Sequence, residues 1–167
     1  MAEELWVRKA IIVFVVGAVV GGLAGFAMGI FVYPYIFLAD IVATERVEDV
    51  ASKQLVARGE FIHANPSDPI HYGRGRVTVY DDVLHLADDF TVGPGPAFHL
   101  YLVPEKTVTP DTKVAQTMFV DLGRLRAFKG SQVYPIPAGV DLKNYGSVVI
   151  WCKQFGVLIS PATLSFL

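Results

Sequence analysis

The chain has 167 residues, 53% of them hydrophobic, and its 14 basic side chains nearly balance 16 acidic ones for a net charge of -2. With no basic run and no acidic tail, nucleic acid drops out as a partner. Cys152 is the only cysteine, which excludes an intrachain disulfide and a CxxCH haem attachment and leaves stability to packing.

The stretch from Ala10 to Ala39 carries no charge. A bilayer core takes about 20 apolar residues as helix, so a transmembrane helix is predicted over 10–38. Trp6 and the Tyr33 and Tyr35 pair stand roughly 40 Å apart along such a helix at ~1.5 Å per residue, which sets both at headgroup level. Pro34 falls where the helix should end or kink. Arg8 and Lys9 flank the near side, whereas Asp40 and Glu45 open the far side. That bias puts residues 1–9 in the cytoplasm and the remainder across the membrane. The apolar run is about twice a signal-peptide core and no small-x-small site follows it, so a retained anchor is expected.

Gly17, Gly21, Gly25 and Gly29 repeat at four-residue spacing. On a helix they form one slowly drifting stripe, the small-residue pattern that lets two helices approach closely in lipid. A partner helix is expected there, a different subunit in preference to a second copy.

Residues 39–56 lack Gly and Pro, and Ile41, Val42, Val47, Val50, Ala51 and Leu55 are roughly helix-spaced, so a linker or short helix is expected. From 57 onward short runs rich in Val, Ile, Phe and Tyr alternate with turn residues, the texture of strands. Arg76 to Tyr80 alternates, Asp81-Asp82 suits a tight turn, and Val83 to Ala87 follows with Leu84 and Leu86 on one face. Ala97 to Val103 should place Phe98, Leu100 and Leu102 on one face, with His99 and Tyr101 on the other. Met118 to Leu122 and Gln132 to Ile136 are shorter, and Pro135 should confine the latter to an edge. Ser147 to Lys153 is apolar on both faces and should lie centrally. Phe155 to Ile159 and Ala162 to Phe166 complete an antiparallel β-sandwich or barrel over 57–167.

The run from Gly130 to Val157, GSQVYPIPAGVDLKNYGSVVIWCKQFGV, resembles the DM-thirteen domain family. Gly59-Glu60-Phe61, the Leu86 to Phe90 segment, Gly95-Pro96 and Tyr101-Leu102 agree with it, so the resemblance spans roughly residues 57 to 166. Gly146 departs from the pattern by separating Tyr145 from Ser147. The resemblance implies a compact β domain with a proposed role in electron transfer. It also implies that Cys152 is the suspected redox or cofactor-contacting residue.

Read from the residues alone, Cys152 lies in phase with Val148 and Ile150 and is first a buried small hydrophobe. A metal or cofactor contact, or a reactive thiol, are the other readings. His63 and His71 sit in a Pro-rich loop and read as solvated. His85 and His99 lie off the apolar phase of successive strands, so they would share a face if those strands pair. With Cys152 or Met118 they would form a His-His-Cys-Met copper set. No histidine follows Cys152, so the usual blue-copper spacing is absent. Asp81, Asp82, Asp88 and Asp89 sit in adjacent pairs whose side chains diverge, so turn solvation is expected. No GxSxG, HExxH or phosphate loop is present. No enzyme activity, metal or cofactor is expected, with Cys152 redox chemistry as the main exception and non-covalent haem on His99 unsupported.

The expected function is a non-catalytic accessory subunit of the bacterial inner membrane. Its glycine-lined helix would dock into a respiratory or photosynthetic electron-transfer complex, with the β domain on the periplasmic face. Pro94, Tyr72 and Tyr134 are candidate loop contacts with that complex. The alternative is an anchored redox or metal carrier that uses Cys152 with His85 or His99.

Overall fold

The computed structural model describes residues 2–167. Helix α1 runs Ala2–Tyr33 and passes into a π-helical turn, Pro34–Leu38. Pro34 starts that turn, and its missing N–H removes one α-helical bond. The side chains of the apolar window of α1 are uncovered throughout. A helix of this position, length and composition serves as a membrane span or as a signal sequence. A Cβ added at Gly17, Gly21, Gly25 or Gly29 would meet nothing within 4 Å, so that stripe is bare.

Eleven strands follow: β1 Val42–Thr44, β2 Leu55–Phe61, β3 Gly73–Tyr80, β4 Val83–Leu86, β5 Thr91–Val92 and β6 Phe98–Val103. Then come β7 Val120–Arg124, β8 Lys129–Pro135, β9 Ser147–Cys152, β10 Val157–Thr163 and β11 Ser165–Phe166. They form one sheet in the order β1-β8-β4-β3-β2-β10-β9-β6-β7, with β5 and β11 added beside it. All pairings are antiparallel except β1 with β8. Strands β7 and β8 stand far apart in that order, yet only residues 125–128 join them. The sheet therefore rolls until its ends meet.

Gln132 makes that closure. Its side chain is fully buried. Its Oε1 accepts from the Arg126 N–H at 3.0 Å and the Tyr134 hydroxyl at 2.8 Å, and its Nε2 donates to the Ala127 carbonyl at 2.9 Å. A buried amide is stable only when its groups are paired, and here it ties the 125–128 connection to β8 where β7 and β8 share no backbone ladder.

Inside the roll, Val77, Val79, Leu84, Leu86, Leu100 and Ile150 head a single apolar cluster. Tyr101, Val103, Val149, Trp151 and Leu158 face outward into a second cluster closed by Val108 and Val114 of the β6–β7 connection. This second cover explains why every residue of β9 is buried. The outward phase of β6 is thus apolar from Tyr101 onward, and only His99 reaches partial exposure.

Residues 39–56, read as a linker or short helix, contain β1 and one 3-10 turn, Val50–Ser52. β1 lies parallel on β8, with Val42 opposite Lys129, Ala43 opposite Gly130 and Thr44 opposite Ser131. The Glu45 N–H then donates to the Ser131 carbonyl at 3.0 Å. The Glu45 carboxylate takes a two-pronged bond from Arg126 Nε at 2.6 Å and Nη2 at 2.5 Å, and also accepts from the Val133 N–H. The Arg126 bond foremost holds the Glu45 carboxyl below its ordinary value, against the opposing effect of burial. Edge placement for β8 thus holds only near Pro135, because β1 covers its first residues.

Gly130 permits that approach. Its φ is +86°, and an added Cβ would collide with the Ala43 carbonyl and lie 2.7 Å from the Val42 side chain. The left-handed backbone alone costs an L-residue ~1–2 kcal/mol, and the collision adds to it. Gly130→Ala should lower the melting temperature by several degrees. It should also strip exchange protection from the Glu45 amide while Val149 and Ile150 keep theirs. Unchanged protection at Glu45 would count against β1 docking.

Candidate functional site

Cys152 closes β9, in register with Phe98 of β6 and Val157 of β10. It is 2% exposed and belongs to the inner cluster. Its Sγ donates to the Pro96 carbonyl at 3.3 Å. The Pro96 loop fits tightly here, since a Cβ on Gly95 would run into the Phe98 ring. Burial pushes the thiol up from its ordinary value, and the backbone N–H groups of Phe155 and Gln154 only partly oppose it. A thiol needs an electropositive, open setting to react as thiolate, and this one has neither.

The histidines do not join it. β4 and β6 do not pair, because β3, β2, β10 and β9 stand between them, so His85 and His99 do not meet. His85 Nε2 lies 2.8 Å from Ser131 Oγ, and Ser131 gives its own proton to the Glu45 carbonyl. His85 therefore donates through Nε2. Burial pushes its imidazole down, with the Asp88 charge opposing.

His99 pairs in register with Trp151, so it sits on the outer face while Cys152 points inward. Its Nδ1 lies 2.9 Å and 3.0 Å from the two Asp121 oxygens. Asp121 also accepts from the Gly123 N–H at 2.9 Å and from Lys153 Nζ at 3.3 Å. Burial raises the Asp121 carboxyl, but the His99, Gly123 and Lys153 bonds outweigh it and the net direction is down. His99 and Asp121 form a histidine–carboxylate pair, and Lys153 holds the position where a further cation would compete. Met118 is 83% exposed. Among the described residues no three His, Cys, Asp or Glu side chains converge. The His-His-Cys-Met set is thus not assembled, because the fold distributes its four members over separate surroundings.

Other sequence expectations change similarly. His63 and His71 are held rather than merely solvated: His63 Nε2 lies 2.7 Å from the Asp68 carbonyl and His71 Nδ1 2.6 Å from the Asp68 carboxylate. Asp82 binds Lys53 at 2.6 Å and Asp89 binds Arg76 at 2.7 Å, so both turn pairs are anchored by cations. Tyr134, expected on an exposed loop, is buried beneath Arg126, whose guanidinium lies 4.3 Å from the ring centre. Burial pushes its phenol up to about 12, with the Arg126 charge opposing. Tyr72 is exposed and Pro94 half-buried.

Sequence reasoning missed an aromatic row on the outer face. Phe119 stacks on Tyr101 at 4.3 Å between centroids, and Tyr101 stacks on Trp151 at 6.5 Å. The available signal was the aromatic phase shared by Tyr101 and Trp151 opposite the inward Leu100 and Cys152. The missed Asp121 contact depends on a bulge between Leu100 and Tyr101, opposite Gly123 at φ +119°, which no spacing rule reports.

The family model described as electron transfer DM13 matches residues 66–164. The chain belongs to the electron transfer DM13 family. No curated protein and no solved structure gives a match. The DM13 match takes in β3 to β10 and Cys152, while α1, β1 and β2 precede it. The membrane-length helix and its docking strand are therefore features of this chain outside the matched domain.

Two measurements test the site. Cys152 should resist alkylation in the native DM13 domain and react only as the protein unfolds, with a rate that follows global opening. Rapid native labelling at neutral pH would refute the closed thiol. Asp68 is held at about 2, first by the His71 bond and then by the Ile70 and His71 N–H groups. Its folded value lies below its ordinary 3.8, so its stabilisation is present above about pH 4 and is lost as pH falls through about 2. The Ile70 and His71 amide signals should titrate near that lower value in the wild type and not in Asp68→Asn.

Proposed function

We propose that this DM13 protein is a non-catalytic, membrane-anchored accessory subunit of an electron-transfer complex. In this reading α1 is a retained span of the bacterial inner membrane. Residues 1–9 lie in the cytoplasm, and the DM13 domain lies on the periplasmic face. The observation that carries the reading is the tie between anchor and domain. Three residues separate β1 from the π-turn, and β1 is fixed on β8 by its ladder and by the Glu45–Arg126 fork. A carrier that shuttles benefits from a loose tether, whereas a subunit that covers one face of a larger assembly benefits from a fixed orientation. The bare glycine stripe supplies the helix-packing surface, and the domain supplies a second contact that raises avidity. The family description supports the electron-transfer class. The separate settings of Cys152, His85 and His99 weigh against the carrier reading.

The test is extraction of the native protein in mild detergent, followed by mass spectrometry of the intact assembly. The expected result is co-migration with a fixed set of larger membrane subunits, lost in the Gly21→Ile/Gly25→Ile double variant. Migration alone with a stoichiometric metal or chromophore would overturn the proposal.

A further inference from the structure

We propose that the end of the β domain nearest α1 is seated in the headgroup layer of a lipid bilayer, with Phe155 as its deepest point. The proposal rests on the reading of α1 as a retained span.

Four connections gather at that end: 62–72, 93–97, 125–128 and 153–156. They are tied to one another by backbone bonds. The Gly93 N–H donates to Tyr72 at 3.0 Å, the Val92 N–H to Phe128 at 2.9 Å, and the Lys153 N–H to Ala97 at 3.0 Å. The end therefore moves as one surface. From it, the β9–β10 turn reaches down beside the helix. Phe155 stacks on Phe31 with centroids 5.7 Å apart and planes 8° from parallel. Phe31 lies seven residues before Leu38, which is about 10 Å down the helix at ~1.5 Å per residue. It falls inside the uncharged stretch that ends at Ala39. If that stretch occupies lipid, the turn touching Phe31 lies at least as deep as the headgroups.

The chemistry of this end suits that depth. Phe155 is 49% exposed, Ile70 56% and Ile41 48%, beside Ile36 and Phe37 of the π-turn. Exposed apolar side chains gathered on one end of a small domain mark a covered surface. Arg124 and Arg126 line a cleft of about 160 Å³ with Leu38 and Ile41, and Lys153 stands on the turn itself. Aromatic and aliphatic tips bordered by long cations are the composition of the membrane interface. The opposite end differs. Its turns expose Asp81, Asp82, Asp141, Lys143 and Asn144 to water, with Phe166 and Leu167 as its exposed apolar side chains, while Asn65 and Ser67 are exposed polar residues of the 62–72 connection at the α1 end. Lipid is favoured over a protein partner because the surface is continuous with the face of α1 that already meets lipid.

The experiment uses the full chain in nanodiscs of phosphatidylcholine and phosphatidylglycerol. Nitroxide labels are placed by Phe155→Cys, Gln154→Cys, Ala138→Cys and Phe26→Cys, each on a Cys152→Ala background. Gln154→Cys keeps Phe155 in place should its replacement disturb the turn. Power-saturation spectroscopy compares collisions with oxygen, which enters lipid, and with a water-soluble nickel chelate. The labels at 154 and 155 should lose nickel collisions and gain oxygen collisions, as at 26, while 138 shows the reverse. If 154 and 155 behave as 138 while 26 remains in lipid, the span stands and the seating is wrong. If 26 also collides freely with nickel, the anchor reading itself fails. Protection at 155 in native membranes but not in nanodiscs would assign the surface to a protein partner and overturn the proposal.

Discussion

The parallel pairing of β1 with β8 is the constraint on which the rest depends. Without it, the helix would hang from the domain on a run of some fifteen polar and apolar residues that no other sheet strand holds. With it, three backbone positions, a buried-edge glycine and a forked carboxylate–guanidinium bond fix the chain's entry to the domain. Exposed ion pairs alone contribute little. This one is stronger because Glu45 also accepts from a strand N–H, and because Arg126 lies over the Tyr134 ring and donates to the Val133 carbonyl. The same guanidinium therefore stabilises both the docking strand and the seam where the sheet closes.

That seam shows how the fold economises on backbone pairing. A short β7–β8 connection cannot reach across an open sheet, so the sheet curls. The curl leaves the N–H of Arg126 and the carbonyl of Ala127 inside without strand partners. Gln132 accepts the first and donates to the second. A buried side-chain amide costs free energy if any of its groups is left unpaired, so Tyr134 completes its oxygen. Positions 126, 132 and 134 are thus one unit spread over two elements, and a change at any of them is felt at the strand that follows α1.

Much of the β domain is legible in the sequence. Alternation places Val77, Val79, Leu84, Leu86 and Leu100 inside, and the doubly apolar β9 is paired on both sides, by β10 and β6. These are period-two signals, and burial of one face decides them locally. What is not legible depends on which strands become neighbours. The helical spacing of residues 41–55 survives only in the 3-10 turn Val50–Ser52, because Val42–Thr44 pair with β8 and Leu55 begins β2 against β3. Tyr134 reads as a loop aromatic because nothing in its local pattern announces Arg126 and Gln132 around it. His85 and His99 read as neighbours because they are consecutive in sequence, yet the strand order inserts four strands between β4 and β6. The candidate site was therefore visible as a set of residue types but not as a geometry.

The fold puts Cys152 close to the end of the domain that meets α1. Its thiol faces the inner cluster and is closed from below by the Pro96 loop and the β9–β10 turn. Both belong to the end of the domain that meets α1, because Phe155 on that turn stacks on Phe31. Both are braced, one by the Phe98 ring and the Lys153 bond to Ala97, the other by the helix itself. A raised thiol value and a buried sulfur make a packing residue in isolation. The turn that follows Cys152 rests on α1 through Phe155, so the packing of this end of the inner cluster and the placing of the helix share one short segment of chain.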